Sequence, residues 1–191
     1  ERKDKLKELQ NWGVPIYPYT YDKKNSAKEL LDKHSGLKPE TKTKSSASIA
    51  GPIVSLRMLG KAAFFHLQDN SGKIQVYIRK DDLKDNYKVF KKSDVGDIVG
   101  IKGDIFTIKT GAVTIHTKEF TFLAKALRPF PEKYHGLKDI ELRYRKRYVD
   151  FVVNPDAKEV FVKRAKIMGY IREFLNGKGF IEVQTPILQP L

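Results

Sequence analysis

Hydrophobic positions follow two different periods along the chain. Over Arg2–Trp12, Leu6, Leu9 and Trp12 stand at helical spacing among Lys and Glu, and Gly13-Val14-Pro15 ends the run, which predicts a short amphipathic helix. Ser26 with Glu29 three residues on is a capping box and predicts a second helix ending near Gly36. KPETKTKSS, from Lys38 to Ser46, reads as a polar linker. From Ser48 to Ala124 the pattern alternates. Strand one is SIAGPIVSLR, with Val54 and Leu56 facing in, Ser55 and Arg57 facing out, and a bulge or edge at Gly51-Pro52. Gly60–Arg79 holds two alternating runs about an Asp69-Asn70-Ser71-Gly72 turn, the pattern of a β-hairpin. Leu83–Lys92 reads as one helix, Asp97–Lys109 as strand four with Gly100 and Gly103 at barrel bends, and Ala112–Ala124 as strand five.

Five strands with a helix between the third and fourth is the pattern of an OB-fold, a barrel that binds oligonucleotides on the face of strands two and three. A proline-rich, basic connection follows from Lys125 to Gly136, and KDIELRYRKRYVDFVVN reads as one charged helix ending at Asn154. Its RYRKRY segment spreads charge around the helix axis, which fits a salt-bridged hinge better than a phosphate site. Asn154-Pro155-Asp156 starts a further helix, with a cap, Pro at the first position and an acid in the first turn. Val160, Phe161, Ile167, Met168, Ile171, Phe174 and Leu175 form its apolar stripe, and FIEVQTPIL reads as a last strand. The expected fold class is thus a β-rich α+β chain. It divides into a helical extension and linker over 1–46, the barrel over 47–124, a hinge over 125–154, and over 155–191 a helix and strand too small to be a domain alone.

Within the hairpin, alternation sends Phe65, Leu67, Ile74, Val76 and Ile78 to the core. The other face receives Phe64, His66, Gln68, Gln75, Tyr77 and Arg79. Rings offer stacking surfaces to bases, and amide or guanidinium groups read base edges or hold phosphate. An ordinary solvated sheet face carrying one Phe fits the same pattern.

Composition sharpens this choice. The 191 residues carry 37 Lys and Arg against 23 Asp and Glu, a net charge of +14, which suits a polyanionic partner. Cysteine is absent, so disulfides, thiolate zinc sites and a Cys nucleophile are excluded, and a cytosolic location fits best. No apolar run approaches a membrane span. His34, His66, His116 and His135 are scattered, and no metal-ligating or catalytic constellation is present. The missing initial Met and the end at Pro190-Leu191 read as a piece of a longer chain.

LGKAAFFHLQDNSGKIQVYIRKDD, GDIVGIKGDIF and KALRPFPEKYHGLKDIELRYRKRYVDFVVNP together resemble the amino-terminal region of bacterial-type lysyl-tRNA synthetases. GKGFIEVQTPILQP resembles motif 1 of the class II synthetases, the helix and strand of their dimer interface. Aspartyl- and asparaginyl-tRNA synthetases share the barrel and a similar motif 1, so the lysine assignment rests on Lys125–Asp150. The resemblance implies a barrel that binds the U-rich anticodon loop of lysine tRNA, with Phe64 stacking on the central base and Gln75 and Arg57 contacting bases. His66 lies on the same face. It also implies a homodimeric parent enzyme that activates lysine with ATP and Mg²⁺, neither bound by these residues, because the ATP-binding motifs 2 and 3 lie beyond motif 1. This chain alone is therefore expected to be inactive. Two departures stand out: Pro52 where the family commonly has Arg, and Ala112 where it commonly has Glu. A free-standing OB-fold RNA-binding or accessory protein is the alternative.

Overall fold

Eighteen residues, Lys42–Leu59, form the first strand (β1), and its two halves have different neighbours. A computed structural model describes residues 1–129, 137 and 139–187. The first half of β1 pairs with Ile98–Thr107 (β4) and the second with Ala62–Gln68 (β2), both antiparallel. Lys73–Arg79 (β3) completes the hairpin with β2 and pairs in parallel with Val113–Ala124 (β5), which returns against β4. The order β1-β2-β3-β5-β4 closes a five-stranded barrel. Closure leaves no open sheet edge.

The barrel interior follows from the pleat. Phe65, Leu67, Ile74, Val76 and Ile78 are buried as alternation requires, with Ile49, Ile53, Ile101, Ile105 and Ile115 from the other strands. Two short helices, Lys80–Leu83 (α3) and Asn86–Phe90 (α4), follow β3 and supply Leu83, Tyr87 and Phe90 to the same core. In the amino-terminal part, Arg2–Asn11 (α1) and Ala27–His34 (α2) add Leu9, Ala27 and Leu30. The capping box of Ser26 and Glu29 forms in full.

The hairpin turn also holds α2. Asp69 accepts from the Ser71 and Gly72 amides within the turn, and from the Ala27 amide in the first turn of α2, while Lys23 Nζ lies 2.8 Å from its carboxylate. Burial pushes the Asp69 carboxyl up. Lys23, Ser71 and the backbone amides outweigh it and hold the group well below the usual carboxylate range.

Several expected elements are corrected. The segment Lys42–Ser46, read as linker, is strand, because β4 supplies its hydrogen bonds regardless of its polar side chains. The bulge lies between Ile53 and Ser55 rather than at Gly51-Pro52. Ile53 therefore takes the core position expected of Val54, and Leu56 keeps its own. The helix expected over Leu83–Lys92 is two, broken where Lys84 turns with φ 50°. Gly103 does lie at a register shift between β4 and β5, as a bend requires, and both glycines also permit close approaches: a Cβ on Gly100 would lie 2.3 Å from the Tyr21 ring, and one on Gly103 would lie 2.1 Å from the His116 carbonyl oxygen.

The chain separates into two compact units, Glu1–Pro129 and Phe130–Leu191. In the second, the expected single helix is again two, Ile140–Arg145 (α5) and Arg147–Val153 (α6), divided at Lys146. The break lets Arg143 and Arg147 both reach the buried Asp150, at 2.8 Å and 2.7 Å. Pro155–Gly177 (α7) follows with Pro at its start, but Asn154 does not cap it through its side chain, which donates to Asp150 and the Leu137 carbonyl instead. Phe161, Ile167, Met168, Ile171 and Phe174 of α7 are exposed. Residues 180–187 form no strand, since a strand needs a hydrogen-bonded neighbour and none pairs with them among the described residues. The rest of that expected strand, most of the proline-rich connection and His135 lie outside the described residues.

Candidate nucleic-acid interface

Strand registers align two rows of side chains across the barrel, outward-facing on β1, β2 and β3, the second ending at the buried Thr114 of β5. Arg57 pairs with Phe64, Phe64 with Tyr77, and Tyr77 with His116, which makes a row of one cation and three rings over β1, β2, β3 and β5. Beside it, Ser55 pairs with His66, His66 with Gln75, and Gln75 with Thr114, a row of hydrogen-bonding groups. The rows lie two residues apart along each strand, roughly 7 Å, about the width of a base. All four residues expected at the site fall in these rows: Arg57 and Phe64 in the first, His66 and Gln75 in the second.

The aromatic row is in contact along its length. Phe64 and Tyr77 have ring centroids 4.7 Å apart, and Tyr77 and His116 5.4 Å. Phe106, outward on β4, closes the cluster at 6.0 Å from both Tyr77 and His116. These tilted and edge-to-face contacts hold the rings together while each remains partly exposed. Next to Phe64 and Phe106, a groove of about 420 Å³ is lined by Lys42, Lys109 and Thr110. Phe64 is half-buried, whereas Phe65 on the opposite face is 1% exposed, so the phase read from alternation is the observed one.

Hydrogen bonds fix the polar row. Ser55 Oγ lies 2.8 Å from His66 Nδ1, and Thr114 Oγ1 donates to Gln75 Oε1 at 3.0 Å. At the end of the aromatic row, His116 Nε2 lies 2.7 Å from Asp82 Oδ2, which anchors that ring to α3. Arg57 is exposed and makes no ion pair among the described residues. Rings for stacking, a cation for phosphate or base edges, and amide and imidazole groups for base edges are what single-stranded nucleic acid requires.

Tyr77, Phe106, His116 and Thr114 complete the cluster that sequence reading had centred on four residues. Phe106 was legible, because its neighbour Ile105 is a core residue and the strand alternates. Thr114 was not, since the Gln75 contact arises from the parallel pairing of β3 and β5, which no local pattern announces.

Barrel and rows define an OB-fold with a face built for single-stranded nucleic acid. Residues 47–123 match the family model of the OB-fold nucleic acid binding domain, and 139–191 that of the class II tRNA synthetases (D, K and N). Among those synthetases the chain belongs to the lysine–tRNA ligase family. It is 48% identical over 191 residues to the lysine–tRNA ligase of Carboxydothermus hydrogenoformans, 50% over 192 to that of Thermosipho africanus and 46% over 191 to that of Thermotoga maritima. These matches cover 98–100% of this chain and 38% of each relative, so the chain spans well under half the length of the curated relatives it matches.

Proposed function

We propose that this chain is the anticodon-binding portion of a lysine–tRNA ligase, which activates lysine with ATP and transfers it to lysine tRNA. In this reading the outward rows of the barrel take the U-rich anticodon loop: Phe64 stacks on the central base, Gln75 and Arg57 contact base edges, and His66 lies beside them. The ring contacts of Phe64, Tyr77 and His116, with Arg57 next in register across four paired strands, are the observation that supports it most directly. Pro52 and Ala112, where the family commonly has Arg and Glu, remove two of the groups that the resemblance would assign to base readout.

The division into 1–46, 47–124, 125–154 and 155–191 belongs to the same proposal. Exposed Phe161, Ile167, Ile171 and Phe174 on α7 support homodimerisation of the parent enzyme through that helix. ATP and Mg²⁺ serve lysine activation in the parent enzyme, and among the described residues here no cluster of acidic, His or Cys side chains could hold a metal ion. No described helix is long and apolar enough to cross a membrane, and a cytoplasmic location accords with lysine–tRNA ligation.

Binding to a U-rich anticodon stem-loop tests the proposal. Affinity should fall linearly on a log–log plot against salt, with a slope of about −0.7 for each phosphate neutralised on single-stranded segments. Affinity that stays flat from low to physiological salt would mean that the +14 net charge plays no part.

A further inference from the structure

Gln75 reaches the surface with one end of its amide already engaged. Thr114 Oγ1 donates to Gln75 Oε1 at 3.0 Å, and Thr114 itself is fully buried. The same hydroxyl lies 3.1 Å from the Ala112 carbonyl. A hydroxyl has a single proton to donate, and the Gln75 contact is the shorter of the two. Given to Gln75 Oε1, that proton supplies the amide oxygen's partner among the described residues, while the Ala112 carbonyl keeps the Ile108 amide at 3.2 Å. With its oxygen turned inward, the amide presents its NH₂ group, a donor pair, to whatever lies against the rows.

We infer that Thr114 is a positioning residue for base selection: by holding Gln75 Oε1 inward, it makes the face select a base with a carbonyl oxygen at the contacted edge. Uracil offers O4 there, whereas cytosine offers an amino group. A donor facing a donor leaves both unpaired, and that loss, more than any gain from uracil, sets the discrimination. Stacking on Phe64 and Tyr77 is indifferent to this choice, since both pyrimidines present the same kind of face. The inference rests on the RNA-binding reading above and adds to it the group that decides which base edge is accepted.

The test uses the full chain and two RNA stem-loops that differ only in the central loop base, U or C, titrated at one salt concentration. The wild type should favour U by about tenfold or more. Thr114→Val keeps the side-chain shape and removes the hydroxyl, so the amide can turn over. The U-to-C ratio should fall by at least about threefold while affinity for the U loop changes less than that, and Thr114→Ser should restore the ratio. Gln75→Glu, which presents acceptors only, should move preference toward C and carries the test if Thr114→Val does not fold. A wild-type ratio retained in Thr114→Val, or U preference retained in Gln75→Glu, overturns the positioning role. A wild type that binds neither loop overturns the RNA-binding reading itself.

Discussion

Phe65→Ala should cost about 3–5 kcal/mol of stability, near the upper end for a single core truncation. Its ring is 1% exposed, its neighbours in register are Leu56 and Val76, and it lies 5.7 Å centroid to centroid from Phe90 of α4. Truncation therefore opens a cavity bounded by both sheet and helix, and closed barrel strands cannot collapse into it without breaking register. Denaturant unfolding followed by Trp12 fluorescence checks this, because Trp12 is the chain's single tryptophan and belongs to the barrel unit. The midpoint should drop with the slope unchanged. A loss under 1 kcal/mol would mean that the side chain is not in the core.

Lys125→Met should be as damaging, for an electrostatic reason. The Lys125 ammonium is wholly buried after β5, 2.7 Å from Asp97, close to Asp94 and 3.1 Å from the Lys92 carbonyl. Asp97 is itself fully buried and accepts the Asp94 and Ala126 amides at 2.7 Å and 2.8 Å. Lys5 of α1 pairs with Asp94 at 2.7 Å, so the cluster joins the first helix to the end of the barrel. Burial pushes the Asp94 carboxyl up, and the two lysines outweigh it and hold it below its ordinary value. Methionine fills much of the lysine's volume but leaves Asp97 a buried charge without a counterion, which costs about 3–5 kcal/mol. The same unfolding experiment applies, and a variant within 1 kcal/mol of wild type would show that Asp97 is compensated by its amide donors alone.

The hairpin and the second helix were legible because each is specified locally, by a strict alternation about a turn and by a side-chain cap three residues from its partner. Elements specified by distant partners were not. Lys42–Ser46 carry no apolar alternation, and only β4 makes them strand. Ile53 and Val54 are equally apolar, so nothing in the sequence says which is the bulge. Lys84 and Lys146 interrupt helices at residues with no glycine or proline to mark the break, and the break at Lys146 accompanies the convergence of two arginines on Asp150. The last segment shows the converse: FIEVQ alternates well, yet alternation is insufficient without a neighbouring strand. At the site, the aromatic and polar residues of the hairpin could be assigned a common face from phase alone. Their ordering into two rows depends on the β3–β5 pairing, which brings Thr114 and His116 alongside residues some forty positions earlier.

The claim that the barrel's outer face stacks bases rests most heavily on Phe64, whose ring is apolar yet faces away from the core. Paired titration and thermal unfolding of Phe64→Ala decide it. Affinity for a U-rich anticodon stem-loop should fall by about 1–3 kcal/mol, the usual cost of losing one stacked base, while the melting transition stays near that of wild type. If instead Phe64→Ala melts the barrel, and the fraction that remains folded binds the stem-loop as well as before, then Phe64 is a packing residue and the proposed recognition face is wrong.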